Sequence, residues 1–208
     1  MNTKEVSAEE ILKSVNAWTT GHFLLSSGLH SDQYMQCQKV LQYPQHGLTL
    51  ARALAAKIKA AGVTPQAVVG PALGAVHMEV FMAIALNEVF GNDKEDLQSA
   101  QQIRAIFAER EGSSNEFSIR RGVELAAGEK ILVVEDVTTT GGSARKVVEL
   151  VKSMGAAPVA VATIIDRSGG QCNFDDFKIP FFSLVSLNLK TYEAAACPMC
   201  KEGSTAIK

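Results

Sequence analysis

Residues 131–143 read ILVVEDVTTTGGS, and the fold is decided there. Four consecutive apolar residues, Ile131, Leu132, Val133 and Val134, suit a strand buried on both faces of a parallel sheet. Glu135 and Asp136 stand at its carboxyl end, and Val137, Thr138, Thr139, Thr140, Gly141, Gly142 and Ser143 follow as a hydroxyl- and glycine-rich turn. Helical spacing then begins with Val147, Val148, Leu150 and Val151. Strand, turn and helix in this order hold a phosphate. The glycines let the backbone approach closely, Ser143 is expected to cap the helix, and the first free N–H groups face the anion. No lysine precedes Ser143, as a Walker A loop requires, and no GxGxxG dinucleotide fingerprint is present. The two carboxylates would repel the phosphate itself. They suit sugar hydroxyls, or a divalent cation, a few ångströms away. A phosphorylated ribose meets both demands.

Outward from this stretch, strands and helices alternate. Ser7 to Glu10 forms a capping box for a helix with Ile11, Leu12, Val15 and Trp18 on one face and Gly21 at its end. His22 to Gln38 reads as two short strands around Ser26-Ser27-Gly28. A helix follows Pro44, with Leu48, Ala51, Leu54, Ala55 and Ile58 on one face and Gly62 as its stop. Ala67–Gly70 is a second buried strand, ending in Pro71-Ala72-Leu73-Gly74, and a helix spans 75–90. Residues 91–101 read as an exposed connection, 103–107 as a strand, 109–118 as a mobile loop and 118–121 as a returning strand. Further strands are expected at 159–165, before Asp166-Arg167-Ser168-Gly169-Gly170, and at 181–187. The alternation predicts an α/β fold with a central, mostly parallel sheet flanked by helices. Ligands of such sheets bind beyond the carboxyl ends of the strands. There Arg167 can fork onto a carboxylate or planar base, or pair with Asp166 or Asp175 on the surface.

A chain of 208 residues fits one domain. We divide it into a helix and hairpin (1–43), an α/β core (44–190) and a tail (191–208). Net charge is −2, from 20 basic and 22 acidic residues, which gives no electrostatic basis for nucleic-acid or membrane partners. No apolar run approaches a membrane span and the polar start MNTKEVSAEE is unlike a signal peptide, so a cytoplasmic protein is expected. The four cysteines are expected as reduced thiols. Cys197-Pro-Met-Cys200 has metal-ligand spacing, but zinc needs four ligands, and only a tail folded back onto Cys37, Cys172 or a histidine would supply them. A reduced, metal-free pair is the expectation. His30 and His46 read as loop residues in ordinary polar contacts, as does His77 at a helix start, and Met35, Met78 and Met82 as core or pocket packing.

The stretch 131–143 resembles the 5-phosphoribosyl 1-diphosphate (PRPP) motif of type I phosphoribosyltransferases, and the order of segments over 21–170 resembles their orotate phosphoribosyltransferase branch. FLLSSGLHSDQYMQ is similar to that branch's N-terminal hood, GPALGA (70–75) to its pyrophosphate loop, and IIDR (164–167) to the strand end that carries its orotate-contacting arginine. The resemblance implies that Glu135 and Asp136 hold the ribose hydroxyls and that Val137 to Ser143 bind PRPP, with residues 138–143 around its 5-phosphate. It further implies that Ala72, Leu73 and Gly74 form the pyrophosphate loop, and that Thr139, Arg167, Tyr34 and Met35 contact orotate. It implies Mg²⁺ held mainly by PRPP without direct protein ligands, a homodimer with shared active sites, and synthesis of orotidine 5′-phosphate. The sequence departs from the family in the loop. AEREGSSNEFSIRRG stands where many members carry RKxxKxHG, and the family's lysines at Ser26 and at Leu73-Gly74 are missing too. Arg110, Arg120 and Arg121 are the candidates to supply the lost charge and, with Asp136, the candidate catalytic residues. Two other readings stay open. One is transfer to a purine or another pyrimidine base, the other a non-catalytic PRPP-binding regulator, although no DNA-binding helix pair accompanies the domain.

Overall fold

The computed structural model describes residues 6–25, 27–91, 102–112 and 116–207. Most of the connection expected at 91–101, the centre of the loop expected at 109–118 and Ser26 of the hairpin turn lie outside them. Helix α1 (Ala8–Ser14) opens on the expected capping box: the Glu10 N–H donates to the Ser7 hydroxyl at 3.2 Å, and the Ser7 N–H to the Glu10 carboxylate at 2.8 Å. The helix stops earlier than its apolar spacing suggested, because Asn16 turns left-handed at φ 54°. Trp18 therefore starts strand β1 (Trp18–Leu24) rather than extending the helix. Gly21, expected as the helix stop, lies inside β1, where the antiparallel pairing with β2 (His30–Met35) is irregular between Thr20 and Phe23.

A short helix α2 (Gln38–Leu41) leads into α3 (Pro44–Ala60), which buries Ala51, Leu54, Ala55 and Ile58 as their spacing predicted. Then come β3 (Ala67–Pro71), α4 (Val76–Phe90), β4 (Arg104–Arg110), β5 (Phe117–Ser118), β6 (Lys130–Thr138), α5 (Gly142–Ser153), β7 (Ala157–Asp166) and β8 (Phe181–Ser186). They form one sheet in the order β5-β4-β3-β6-β7-β8, parallel throughout except for β5 against β4. Strand alternation in β6 feeds two layers. Leu132 and Val134 pack with α3 and α4, and Ile131 and Val133 with Val147, Val148 and Val151 of α5. All four β6 side chains are fully buried, each contributing about 1.5–3 kcal/mol. The returning strand expected at 118–121 shrinks to Phe117–Ser118, since Arg121 turns the chain at φ 62°.

The tail does not trail away. Strand β9 (Thr191–Tyr192) joins the hairpin as a small sheet of order β1-β2-β9, with His30 opposite Tyr192. On the other edge of the hairpin, Leu24 N–H donates to the Ile207 carbonyl at 2.8 Å and Ile207 N–H to the His22 carbonyl at 2.9 Å. Between them lies helix α6 (Pro198–Lys201), with Cys197 as its N-cap residue. His30 is thus a buried strand residue rather than a loop residue, and His46 belongs to α3.

Glu79 of α4 is 1% exposed, and its Oε1 has no hydrogen-bond partner among the described residues. It packs beneath Gly70 at the end of β3, where a Cβ would lie 2.7 Å from Glu79 Oε1 and 2.8 Å from the Val134 carbonyl oxygen, so only glycine fits. Burial pushes the Glu79 pKa up from 4.5 to about 9. The folded state therefore keeps a proton that the unfolded chain releases near pH 4.5, and stability falls as pH rises from there through 9. Glu79→Gln is expected to flatten this slope, recovering about 3–4 kcal/mol between pH 6 and 9. Melting curves at both pH values check it; a variant as pH-sensitive as the parent would show that Glu79 does not titrate this way.

Candidate active site

The carboxyl ends of β3, β6 and β7 meet at one end of the sheet. Glu135 and Asp136 project there from β6, and the turn 139–141 carries the chain to the N-terminus of α5. Gly141 makes that turn possible. It sits left-handed at φ 77°, and a Cβ on it would lie 2.9 Å from Cys172 Sγ. Gly141, not Ser143, is the capping residue of α5, so the capping role expected of Ser143 is corrected. Its hydroxyl hydrogen-bonds to Glu135 instead. The first-turn N–H groups of α5 have no partners within their own helix.

Two clefts adjoin at this point. One, of about 270 Å³, is lined by the turn 139–143 with Glu135, Arg110 and Lys146. The other, of about 330 Å³, is lined by residues 71–75 with Arg110, Glu135, Asp136 and Ser143. Arg110, Glu135 and Ser143 border both. In the loop 71–75 the Ala72 N–H is already taken by the Ala108 carbonyl at 2.8 Å, so the donors available to an anion are those of Leu73 and Gly74. Gln38 braces this loop by donating to the Gly74 carbonyl at 2.7 Å, and its side chain also hydrogen-bonds to Asp136. Sequence reading missed Gln38 and Lys146. Lys146 follows Gly142 by one helical turn and so faces the phosphate turn, a spacing that could have marked it. Gln38 is brought in only by the fold.

Burial, followed by the charge of neighbouring Asp136, pushes the Glu135 pKa up to about 7, against the lowering effect of hydrogen bonds from Thr138 and Ser143. Burial likewise raises Asp136, against a Val137 N–H that donates to its Oδ1 at 2.9 Å. Below pH 7 Glu135 is protonated and loses acceptor capacity. The rate constant kcat/KM for the sugar phosphate is therefore expected to fall about tenfold per pH unit below pH 7, and the Glu135→Gln protein to lose that limb. A pH profile with the same limb in both proteins would assign it to another group.

Arg167 directly follows β7, and its backbone N–H donates to the Thr138 carbonyl at 2.8 Å. Its guanidinium makes no ion pair with Asp166 or Asp175 among the described residues. Asp166 is satisfied instead by the Ser168 N–H at 2.8 Å and the Ser186 hydroxyl at 3.1 Å. The Arg167 Nε is buried with no acceptor among the described residues; burial lowers the Arg167 pKa, against the opposing charges of Tyr34 and Cys37. Tyr34 stacks on Phe23 at 5.5 Å, and Met35 is buried in the main core. The loop arginines divide. Arg110 reaches both clefts, with its guanidinium 5.0 Å from the Phe117 ring centroid. Arg120 instead bonds to Glu111 at 3.1 Å and Ser118 at 2.9 Å, and Arg121 to Glu109 at 2.6 Å. Neither lines the two clefts.

Residues 38–188 match the phosphoribosyl transferase domain family. The chain is 44% identical over 199 residues to the orotate phosphoribosyltransferase of Caldanaerobacter subterraneus subsp. tengcongensis, covering 96% of this chain and 93% of that one. It is 42% identical over 200 residues to that of Thermotoga maritima, covering 96% and 95%. The chain belongs to the orotate phosphoribosyltransferase family. Crystal structures of orotate phosphoribosyltransferases share its fold. The enzyme from Aeropyrum pernix superimposes with a TM-score of 0.63 at 23% identity, covering 86% of this chain and 93% of that one. The enzyme from Mycobacterium tuberculosis, in complex with Fe(III) dicitrate, gives 0.62 at 22% identity, covering 86% and 96%. An orotate phosphoribosyltransferase is a pentosyltransferase. Among the described residues no helix is long and apolar enough to cross a membrane.

Proposed function

We propose that the chain transfers the 5-phosphoribosyl group of PRPP to orotate, yielding orotidine 5′-phosphate and pyrophosphate in the cytoplasmic synthesis of pyrimidine nucleotides. The observation that carries this is the joining of two clefts across Glu135 and Ser143, with the buried Nε of Arg167, at the same end of the sheet, lacking an acceptor among the described residues. The α5 turn receives the 5-phosphate, Leu73 and Gly74 the pyrophosphate, and Glu135 and Asp136 accept from the ribose hydroxyls between them. Arg110 faces both clefts and stabilises the negative charge that builds on the leaving pyrophosphate. Arg167 forks onto the orotate carboxylate, with Thr139, Tyr34 and Met35 bordering the base. Holding the two substrates in line lets the base nitrogen attack as pyrophosphate leaves, without a covalent enzyme intermediate.

Glu135 and Asp136 offer oxygen donors beside the site of a magnesium ion, which would be held mainly by PRPP and would neutralise phosphate charge. The homodimer belongs to the same proposal. Val80 and Ile84, one turn apart on the outer face of α4, are 47% and 41% exposed, a face that suits a second copy and that sedimentation would test.

Orotate depletion, followed by absorbance with purified protein, PRPP and Mg²⁺, tests the reading, with uracil, hypoxanthine and adenine in parallel. Orotate alone is expected to be consumed, with EDTA stopping the reaction and added Mg²⁺ restoring it. Consumption of a purine would overturn the base assignment, and PRPP binding without turnover of any base would make the chain a regulator.

A further inference from the structure

Two histidines of the hairpin and two cysteines of the tail converge at the end of the hood, away from both clefts. His22 Nε2, His30 Nδ1 and the thiols of Cys197 and Cys200 all lie within 4.8 Å of one another. We propose that these four side chains bind one zinc ion that fastens the tail to the hood. The expectation of a metal-free Cys197/Cys200 pair and of His30 as an ordinary polar residue gives way to this reading.

The distances support it. In a tetrahedral site with Zn–S of about 2.3 Å and Zn–N of about 2.0–2.1 Å, nitrogen and sulfur ligands sit about 3.5 Å apart. Here Cys197 Sγ is 3.5 Å from His22 Nε2, and Cys200 Sγ is 3.7 Å from His22 Nε2 and 3.4 Å from His30 Nδ1. The two nitrogens are 2.8 Å apart and would open by about half an ångström around an ion. The donors are the right ones. Two thiolates and two imidazoles in tetrahedral array select zinc over magnesium or calcium, which take oxygen.

The surroundings are those of a structural site. His22 is 7% exposed, His30 8% and Cys197 0%, which leaves little room for a substrate. His22 Nδ1 lies 3.1 Å from the Ser204 hydroxyl. An N–H there donating to Ser204 leaves the Nε2 lone pair for the metal, the outer-shell support that zinc-bound histidines usually have. Gly203, left-handed at φ 82°, turns the chain after α6 so that Ser204 reaches back. There is also a need for such a clamp. The tail contributes a two-residue strand and a four-residue helix, and of its described residues only Cys197 is fully buried apolar surface. So small a module rarely holds by packing alone. Zinc would close loops with sequence separations of 8 and 170 residues, and its binding energy would become folding energy for the hood.

The inference does not depend on the reading of the PRPP clefts, and neither does its test. Protein purified without chelator or metal-affinity resin is expected to carry about one zinc per chain by elemental analysis. Growth on cobalt should give the visible bands of tetrahedral Co²⁺ with thiolate charge transfer. The Cys197→Ser/Cys200→Ser protein should lose the metal and the His46→Gln protein keep it. Stripping zinc with pyridine-2,6-dicarboxylate should lower Tm, and Zn²⁺, but not Mg²⁺, should restore it. Should the double variant fail to fold, the cobalt spectrum of the parent chain decides. Reduced parent protein that takes up neither ion, a Cys197–Cys200 disulfide in freshly isolated protein, or undiminished zinc in the double variant would each overturn the site.

Discussion

Replacing both carboxylates at the end of β6, Glu135→Gln with Asp136→Asn, is expected to lower kcat/KM for PRPP by about two to four orders of magnitude while raising Tm. Each charge-assisted hydrogen bond to a ribose hydroxyl contributes about 1.5–3 kcal/mol, and about 1.4 kcal/mol is a factor of ten. The gain in stability has a separate origin. The Glu135 pKa of about 7 lies above its ordinary 4.5, so the stability tied to its proton is complete below 4.5 and is lost as pH rises through 7. At pH 8 the ionised pair costs up to about 3 kcal/mol, a cost the amides remove. The Tm difference should therefore be large at pH 8 and small at pH 5. Steady-state kinetics and melting curves on the same preparations decide; an active variant, or one that melts lower at pH 8, contradicts the roles given to these residues.

Arg167→Leu is expected to cut orotate turnover by about 2–5 kcal/mol, roughly thirty- to several-thousand-fold, with little change in PRPP affinity. Its guanidinium lies outside the lining of both clefts, and its buried Nε lacks an acceptor among the described residues. Loss of an unsatisfied buried donor should leave the fold intact or firmer. Lysine in its place recovers little, because a point charge does not reproduce the planar fork. Calorimetric titration with PRPP and Mg²⁺, beside orotate kinetics, separates the two substrates. Equal loss of both affinities would place Arg167 in general packing, and unchanged orotate kinetics would remove it from the base site.

The α/β core was legible because its signals are local. The apolar runs of β3, β6 and β7 and the helical spacing of α3 and α5 need only neighbouring residues, and so does the glycine turn before α5. Where the structure places residues otherwise than their neighbours in sequence suggest, the deciding contact is distant or conformational. Trp18 fitted a helical face until Asn16 broke the helix. Arg120 and Arg121 carry charge suited to the clefts, but Glu111, just past β4, and Glu109, on β4, pair with them. Cys197 and Cys200 read as half a site because the histidines beside them, His22 and His30, stand far back in the chain, beyond any spacing rule.

That distance also sets a schedule for the nascent chain. The hairpin leaves the ribosome early, yet β2 finds β9, and β1 finds Ile207, only when the tail has been made. At about 5–20 residues per second, on the order of ten to thirty seconds separate the two events. The six-stranded sheet is completed only with β8, shortly before the tail, and at that point the wall that carries Tyr34 and Met35 still lacks its outer strand. Synthesis halted near residue 188, where the match to the family domain ends, would release a chain with its six-stranded sheet complete and its hood open on both edges.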